Sequence, residues 1–194
     1  HTFMFWAQNN TPACDGGYII GDYNAPAVSN QALHYGFRAC ETNCPNGNCM
    51  GMDFYANNIY TPSYFQTNWT HWALSYNSTT QVRIIYKNGQ VYAQDIATSA
   101  YTGNLNLMIG ASKFQNYSIG GFFNGKLDAL SVWKTTLSPQ EIQNYMICPP
   151  VGSENNIVAL YNFEEGSGTI AKDKTLNTNN GIINGVNYDI DVPM

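Results

Sequence analysis

Charged residues are scarce in this sequence, and basic residues are the scarcest. Only 11% of the 194 residues are charged, and eight Lys and Arg stand against thirteen Asp and Glu, for a formal net charge of −5. So few cations argue against binding to a phosphate backbone, and nucleic acid is not expected as a partner. No apolar run reaches the roughly 20 residues that span a bilayer, and no signal peptide is visible. The abundant Asn, Thr, Ser and Tyr suit a secreted or cell-surface protein.

Sequence patterns for catalysis are also missing. A retaining glycosidase needs two carboxylates about 5–5.5 Å apart, but Glu164 and Glu165 are the only acidic pair, and consecutive strand residues point to opposite faces. Neither a Gly-x-Ser-x-Gly elbow nor a paired-histidine metal motif occurs. We therefore predict that the protein is not an enzyme. A copper site formed by His1 with His34 or His71 is an alternative that rests on ligand types alone.

The five cysteines are an odd number, so at least one is free or paired outside the chain. Three of them share a short loop, rich in Gly, Asn and Pro, that cannot pack by itself, which favours a disulfide framework. A zinc site is the alternative, although the spacing is not C-x2-C and no histidine lies nearby. Four N-x-S/T sequons are compatible with an extracellular protein. The disulfide candidates are Cys14, Cys40, Cys44, Cys49 and Cys148, and the glycosylation candidates are Asn9, Asn68, Asn77 and Asn116.

Alternation of apolar and polar residues predicts an all-β fold. Many short segments of strand composition are separated by turn residues, as in a sandwich or jelly roll. Asn88-Gly89 supplies the positive φ angles of a tight hairpin turn. Trp6, Trp72 and Trp133 fall within strands and are expected in the core. The predicted strands cover residues 2–7, 17–22, 32–39, 51–56, 69–76, 81–86, 91–96, 105–109 and 125–133.

One helix is predicted, directly after the last of these strands. Ser138 and Glu141 have the spacing of a capping box, which predicts a helix over about 138–146. In the strand before it, the two-residue repeat predicts that Asp128 and Leu130 face the same side.

Several segments together resemble the concanavalin A-like and laminin G-like jelly rolls. Residues 122–133 and 137–142 are similar to that family's closing strand, F-x-G-x-I-D-x-V-x-I-W, and to its short helix, L-S-x-x-E-I. The segments 1–7, 69–76, 83–89 and 105–110 resemble, in the family's order, its patterns F-T-x-x-F-W, W-x-H-x-A-x-x-Y, R-x-I-Y-x-N-G and L-x-I-G. The resemblance covers most of residues 1–147. It implies an all-β, two-sheet antiparallel jelly-roll sandwich with one short helix near residues 138–146.

The C-terminal tail resembles the beginning of such a domain, although it follows the domain's end. Residues 157–187 contain Leu-Tyr-Asn-Phe-Glu-Glu-Gly-Ser-Gly, then an aspartate, then Asn-Asn-Gly. The tail either folds back to complete this sandwich, as in a circular permutation, or begins the next copy of a tandem array. We favour folding back, because an isolated half-domain would expose Val158, Leu160, Phe163 and Ile182. We therefore predict one domain over residues 1–194, in which 151–194 completes the sheets.

The resemblance also implies a calcium ion at the rim of the sandwich. Calcium takes six to eight oxygen ligands, and Asp22 and Asn24 supply two side-chain oxygens just after a predicted strand. Asp128 matches the aspartate of the family's I-D-x-V pattern. We predict metal ligation by Asp22, Asn24 and Asp128, with an Asx turn and a strand-edge hydrogen bond as the alternative.

A carbohydrate or protein ligand is the other property that the resemblance implies. Sugar rings pack on flat aromatic faces, and tyrosines near predicted turns offer such faces, although most tyrosines simply pack. The predicted ligand-binding residues are Tyr23, Tyr60, Tyr64 and Tyr117. We therefore expect an extracellular, non-catalytic module that binds a glycan or glycoprotein, with calcium, within a larger adhesin or surface protein. A structural module that packs against its own copies or neighbouring domains, and a small polysaccharide-active enzyme, are the alternatives.

Overall fold

The predicted all-β sandwich is confirmed. The computed structural model describes residues 1–10, 17–25, 28–38, 49–62, 67–103, 106–114 and 118–193, with the backbone alone for 23–25, 38 and 114. Its strands are β1 (Thr2–Asn9), β2 (Tyr18–Ala25), β3 (His34–Arg38), β4 (Cys49–Asp53), β5 (Asn58–Tyr60), β6 (Thr70–Tyr76), β7 (Val82–Lys87), β8 (Gln90–Ile96), β9 (Leu107–Ile109), β10 (Ser112–Phe114), β11 (Ile119–Gly120), β12 (Gly125–Trp133), β13 (Ile157–Tyr161), β14 (Ile170–Ala171) and β15 (Gly181–Ile182). One helix, α1 (Pro139–Ile147), follows β12.

Two sheets form the sandwich. Sheet A has six strands in the order β13-β12-β1-β6-β7-β8, and sheet B has seven, in the order β11-β10-β2-β3-β4-β5 with β9 also paired to β2. All of these pairs are antiparallel except β10 with β2. The short strands β5, β10 and β11 were not predicted, because two or three residues are too few to show an alternating pattern.

Apolar side chains fill two separate layers. The larger core lies between the sheets and includes Phe3, Phe5, Leu33, Tyr35, Met52 and Trp72. A second cluster joins sheet A to α1 and includes Met4, Tyr86, Trp133, Leu137 and Ile142. Trp72 and Trp133 are therefore buried as predicted. Trp6 belongs to neither cluster and is partly exposed.

A β-bulge in β12 corrects the predicted face of Asp128. Ser131 of β12 pairs with Met4 of β1, and Asp128 pairs with Trp6, so β12 has one more residue than β1 between the two pairs. Ala129, within this bulge, has a φ of 47°. One extra residue reverses the alternation. Leu127 and Leu130 therefore both pack on the core between the sheets, and Asp128 does not share a face with Leu130.

The local turn and helix signals are confirmed. Ser138 and Glu141 form both hydrogen bonds of the capping box, and Pro139 occupies the first turn. Asn88 and Gly89 have φ angles of 48° and 73°, as the hairpin between β7 and β8 requires.

The tail lies against the edge of sheet A. Strand β13 pairs with β12, and Leu160 and Tyr161 are buried. The Asp173 carboxylate accepts hydrogen bonds from the backbone of Leu160, Thr175 and Asn179 and from the Thr175 hydroxyl. The single-domain boundary over residues 1–194 stays a prediction.

Candidate functional site

Asp22 is a buried carboxylate within β2, one residue beyond the last pair that β2 forms with β3. Only 2% of its surface is exposed, and its Oδ2 accepts a hydrogen bond from the Leu33 backbone at 2.6 Å. Its Oδ1 is buried and has no hydrogen-bond partner among the described residues. Burial raises the pKa of Asp22 to about 6, against the opposing effect of the Leu33 N–H. The site therefore holds one hard oxygen ligand that the described protein leaves unsatisfied.

Two tyrosines lie close enough to Asp22 for its charge to affect them. Burial and then the Asp22 carboxylate raise the pKa of Tyr101, and Asp22 also contributes to the raised pKa of Tyr35. The Tyr101 hydroxyl, like Asp22 Oδ1, is buried without a hydrogen-bond partner among the described residues. A buried oxygen without a hydrogen-bond partner is expensive in an apolar interior unless something binds it.

These residues fit a cation only in part. Asp22 supplies a buried carboxylate oxygen, which is the ligand type that calcium prefers. Asn24 lies two residues further along β2, but its side chain is outside the described part. Within the described ranges, no group of three His, Cys, Asp or Glu side chains is placed to hold a metal ion.

Asp128 lies on the other sheet from Asp22, opposite Trp6 of β1. Its Oδ1 accepts a hydrogen bond from the Ala129 backbone at 2.7 Å. Burial raises the pKa of Asp128, and among charged groups it is Glu164 that adds to this increase. The charge that affects Asp128 is thus that of Glu164 in the tail and not that of Asp22.

The predicted tyrosine platform falls largely outside the described residues. Tyr60 is half-buried on the edge strand β5, opposite Gly51. Tyr23 lies on β2 with its side chain not described, and Tyr64 and Tyr117 lie outside the described ranges.

Sequence reasoning missed the most exposed aromatic ring among the described side chains, which is that of Phe122. It precedes β12 in the rim segment Gly121–Asn124. The signal was present as the pair Phe122-Phe123, since neighbours in an extended chain cannot both enter the core.

The cysteine and sequon candidates have mixed surroundings. Cys49 is buried, Cys148 is a free and exposed thiol, and Cys14, Cys40 and Cys44 lie outside the described residues. Asn9 is buried within β1, whereas Asn68 is exposed. Asn77 accepts hydrogen bonds from the backbone of Thr79 and Thr80, and Asn116 lies outside the described residues.

The three histidines have separate partners, so the structure does not bring them together as a copper site. His1 Nε2 lies 2.8 Å from the Tyr35 hydroxyl, and His34 Nε2 lies 3.1 Å from Ser112 Oγ. The His71 ring packs edge-on against Trp6, and burial lowers its pKa to about 4.

None of the described helices is long and apolar enough to cross a membrane. No curated protein matches the sequence.

Solved structures similar to this one share its fold. A proposed carbohydrate-binding protein from Bacteroides ovatus has 17% sequence identity and a TM-score of 0.67 over 98% of this chain. This chain spans 56% of that protein. A heptameric SAP-like pentraxin from Limulus polyphemus has 17% identity and a TM-score of 0.58, over 94% of this chain and 82% of its own. The CBM40 module of a Ruminococcus gnavus IT-sialidase, bound to α2,3-sialyllactose, has 15% identity and a TM-score of 0.51, over 74% of this chain and 80% of its own.

The sequence itself matches one family model. That model, Laminin_G_3, is described as part of the concanavalin A-like lectin/glucanases superfamily and matches residues 1–143. The chain therefore belongs to this family of concanavalin A-like, laminin G-like domains.

Proposed function

We propose that the protein is a non-catalytic, extracellular module that binds a glycan or glycoprotein within a larger adhesin or surface protein. The observation that carries the proposal is the fold. Residues 1–143 match the concanavalin A-like family, and the solved structures similar to this sandwich include carbohydrate-binding modules.

The direct test is an oligosaccharide array that includes α2,3-sialyllactose, the ligand of the similar CBM40 module, probed with the purified protein. Specific binding to one class of glycan supports the proposal, and binding to none contradicts it. Release of reducing ends from a bound polysaccharide would contradict the non-catalytic part. Asp128 and Glu164 are the carboxylates to replace in that case, since the charge of one raises the pKa of the other.

Calcium support is the second part of the proposal. Asp22 would hold the ion through its unsatisfied Oδ1, with Asn24 as the nearest further oxygen ligand along β2. The ion would compensate a buried negative charge and order the rim.

Asp128 remains a candidate ligand of a separate site. For Asp128→Ala we expect a larger fall in melting temperature in calcium than in chelator, because an ion that binds only the folded state stabilises it. Equal falls would reject Asp128 as a ligand.

A disulfide is the third part. It is supported by Cys49, which is buried at the start of β4. Cys148 is a free, exposed thiol, so it could form a disulfide with a cysteine of another chain. Mass spectrometry of a non-reduced digest would identify the partner, and finding Cys49 alkylated without reduction would contradict this part.

A self-associating module is the second candidate function, and one observation favours it. The tail exposes large apolar side chains that a monomer leaves in water: Ile170, Leu176, Ile182, Val186, Ile190 and Val192. Light scattering over a range of concentrations tests this. A monomer at all concentrations rejects self-association, whereas filaments without glycan binding would replace the first proposal.

A further inference from the structure

Phe122 is a large apolar side chain that the described part of the fold leaves mostly in solvent. It is 64% exposed, and no other Phe, Trp or Tyr with a described side chain is more than about a third exposed. Leaving an aromatic ring in water forfeits the free energy that its burial would provide, about 25 cal/mol per Å². A ring held in this position is therefore a candidate contact surface.

The segment that carries Phe122 is tied to the rest of the sandwich on both sides. Phe123, the next residue, turns inward and stacks on Phe37 with ring centroids 5.9 Å apart. Because adjacent residues of an extended chain face opposite ways, this anchor directs Phe122 outward. Three backbone hydrogen bonds also hold the segment: Tyr18 N to Gly121 O at 2.9 Å, Phe123 N to Gly110 O at 2.9 Å, and Asn10 N to Asn124 O at 3.1 Å.

Close backbone contacts add to this rigidity. A Cβ at Gly17 would overlap the backbone of Phe123, and a Cβ at Gly121 would overlap the ring of Tyr18. Gly121 also has a φ of 61°, which glycine adopts without strain. The Phe122 ring is thus presented by a pre-organised backbone, so a ligand would pay little to order it.

Two exposed carboxamides lie beside Phe122. Asn124 is two residues away, and both are exposed while Phe123 between them is not, so they share a face. Asn10 lies opposite Asn124, one step beyond the pair of Asn9 with Gly125. Directly opposite residues have Cβ atoms about 5 Å apart. A flat apolar ring therefore stands next to two groups that both donate and accept hydrogen bonds.

We propose that Phe122, Asn124 and Asn10 form a saccharide-binding platform, on which the Phe122 ring stacks against the C–H face of a sugar ring. The two carboxamides bind its hydroxyl groups. This inference rests on the proposed glycan-binding function and assigns it to residues other than the four tyrosines. A protein partner would need a wider apolar surface than one ring beside two amides.

The test compares the affinity of wild-type protein and variants for the best ligand of the array, measured by titration calorimetry. We expect Phe122→Ala to weaken binding about tenfold or more, since truncating a central aromatic contact is among the costliest changes at a binding surface. Phe122→Trp keeps a flat ring and should bind within about threefold of wild type. Phe122→Leu keeps the apolar character but loses the ring, and should bind as weakly as the alanine variant. Asn124→Ala should weaken binding as well.

Ile96→Ala is the matched control, because Ile96 is 68% exposed at the end of β8 and lies outside the platform. Phe122 is exposed, so its variants should have the melting temperature of wild type. If a Phe122 variant is destabilised, the affinity of Asn124→Ala tests the platform independently. Unchanged affinity in Phe122→Ala, while wild type binds, overturns the platform and leaves the glycan-binding function intact. Wild-type affinity in Phe122→Leu overturns the stacking contact. Binding of no glycan by wild type overturns both proposals.

Discussion

Asp22→Asn tests whether the buried carboxylate of β2 is there to hold a cation. Without a bound ion, burial raises the pKa of Asp22 to about 6 from an ordinary value of 3.8. Each unit corresponds to 1.36 kcal/mol, so the charged carboxylate destabilises the folded state at neutral pH by up to about 3 kcal/mol. Asparagine removes the charge and keeps an oxygen for the Leu33 N–H. In chelator we expect Asp22→Asn to be more stable than wild type by up to this amount, or roughly 6–12 °C in melting temperature.

The pH dependence has a defined sign. Because the pKa of Asp22 is higher in the folded state, the folded protein holds more protons than the unfolded chain between about pH 4 and pH 6. The free energy of unfolding therefore decreases as the pH rises through this range. His71 has the opposite slope over a similar window, since burial lowers its pKa to about 4. Both proteins contain His71, so the difference in stability between wild type and Asp22→Asn isolates Asp22.

Calcium should reverse the order of the two proteins. An ion that binds only folded wild type adds RT ln(1 + [L]/Kd) to its stability, and the variant lacks a charged ligand for it. The assay is urea unfolding at about pH 5 and about pH 7, in calcium and in chelator. If Asp22→Asn is less stable than wild type in chelator, the argument from uncompensated burial is wrong. If calcium affects the two proteins equally, Asp22 is not a ligand.

Three further predictions concern the stability of the sandwich. Asp173→Asn should lose about 2–3 kcal/mol of stability, because the amide keeps one acceptor oxygen and its NH2 group cannot accept the two hydrogen bonds made to the other carboxylate oxygen; urea unfolding measures it, and a stability equal to wild type would contradict that role. Arg83→Met should cost about 1–3 kcal/mol, because it removes the buried donor to the Asn57 carbonyl, whereas Asp95 is a third exposed and water can solvate it when the pair is lost; a calorimetric stability equal to that of wild type would show Arg83 to be dispensable. Removing residues 151–194 should unfold or aggregate the protein, since it uncovers the β12 edge; a soluble fragment that melts cooperatively would favour the tandem-array interpretation.

Local signals predicted most of the fold. The capping box of Ser138, the turn at Asn88-Gly89 and the strands β1 and β6 were predicted from residues a few positions apart, and each is present in the structure. The candidate site was harder to predict, because it depends on which distant segments meet. Asp22 and Asp128 looked alike as acids beside strands, yet they lie on different sheets.

The sequence by itself determined the class of the fold, most of its longer strands and its family, since these follow from periodicity and motifs that neighbouring residues carry. Only the tertiary structure decided which face Asp128 occupies, because the bulge at Ala129 adds one residue against β1. It also decided that the second of two adjacent phenylalanines reaches the core while Phe122 stays in solvent. Both outcomes depend on register and contacts between distant segments, which no local pattern of residues specifies.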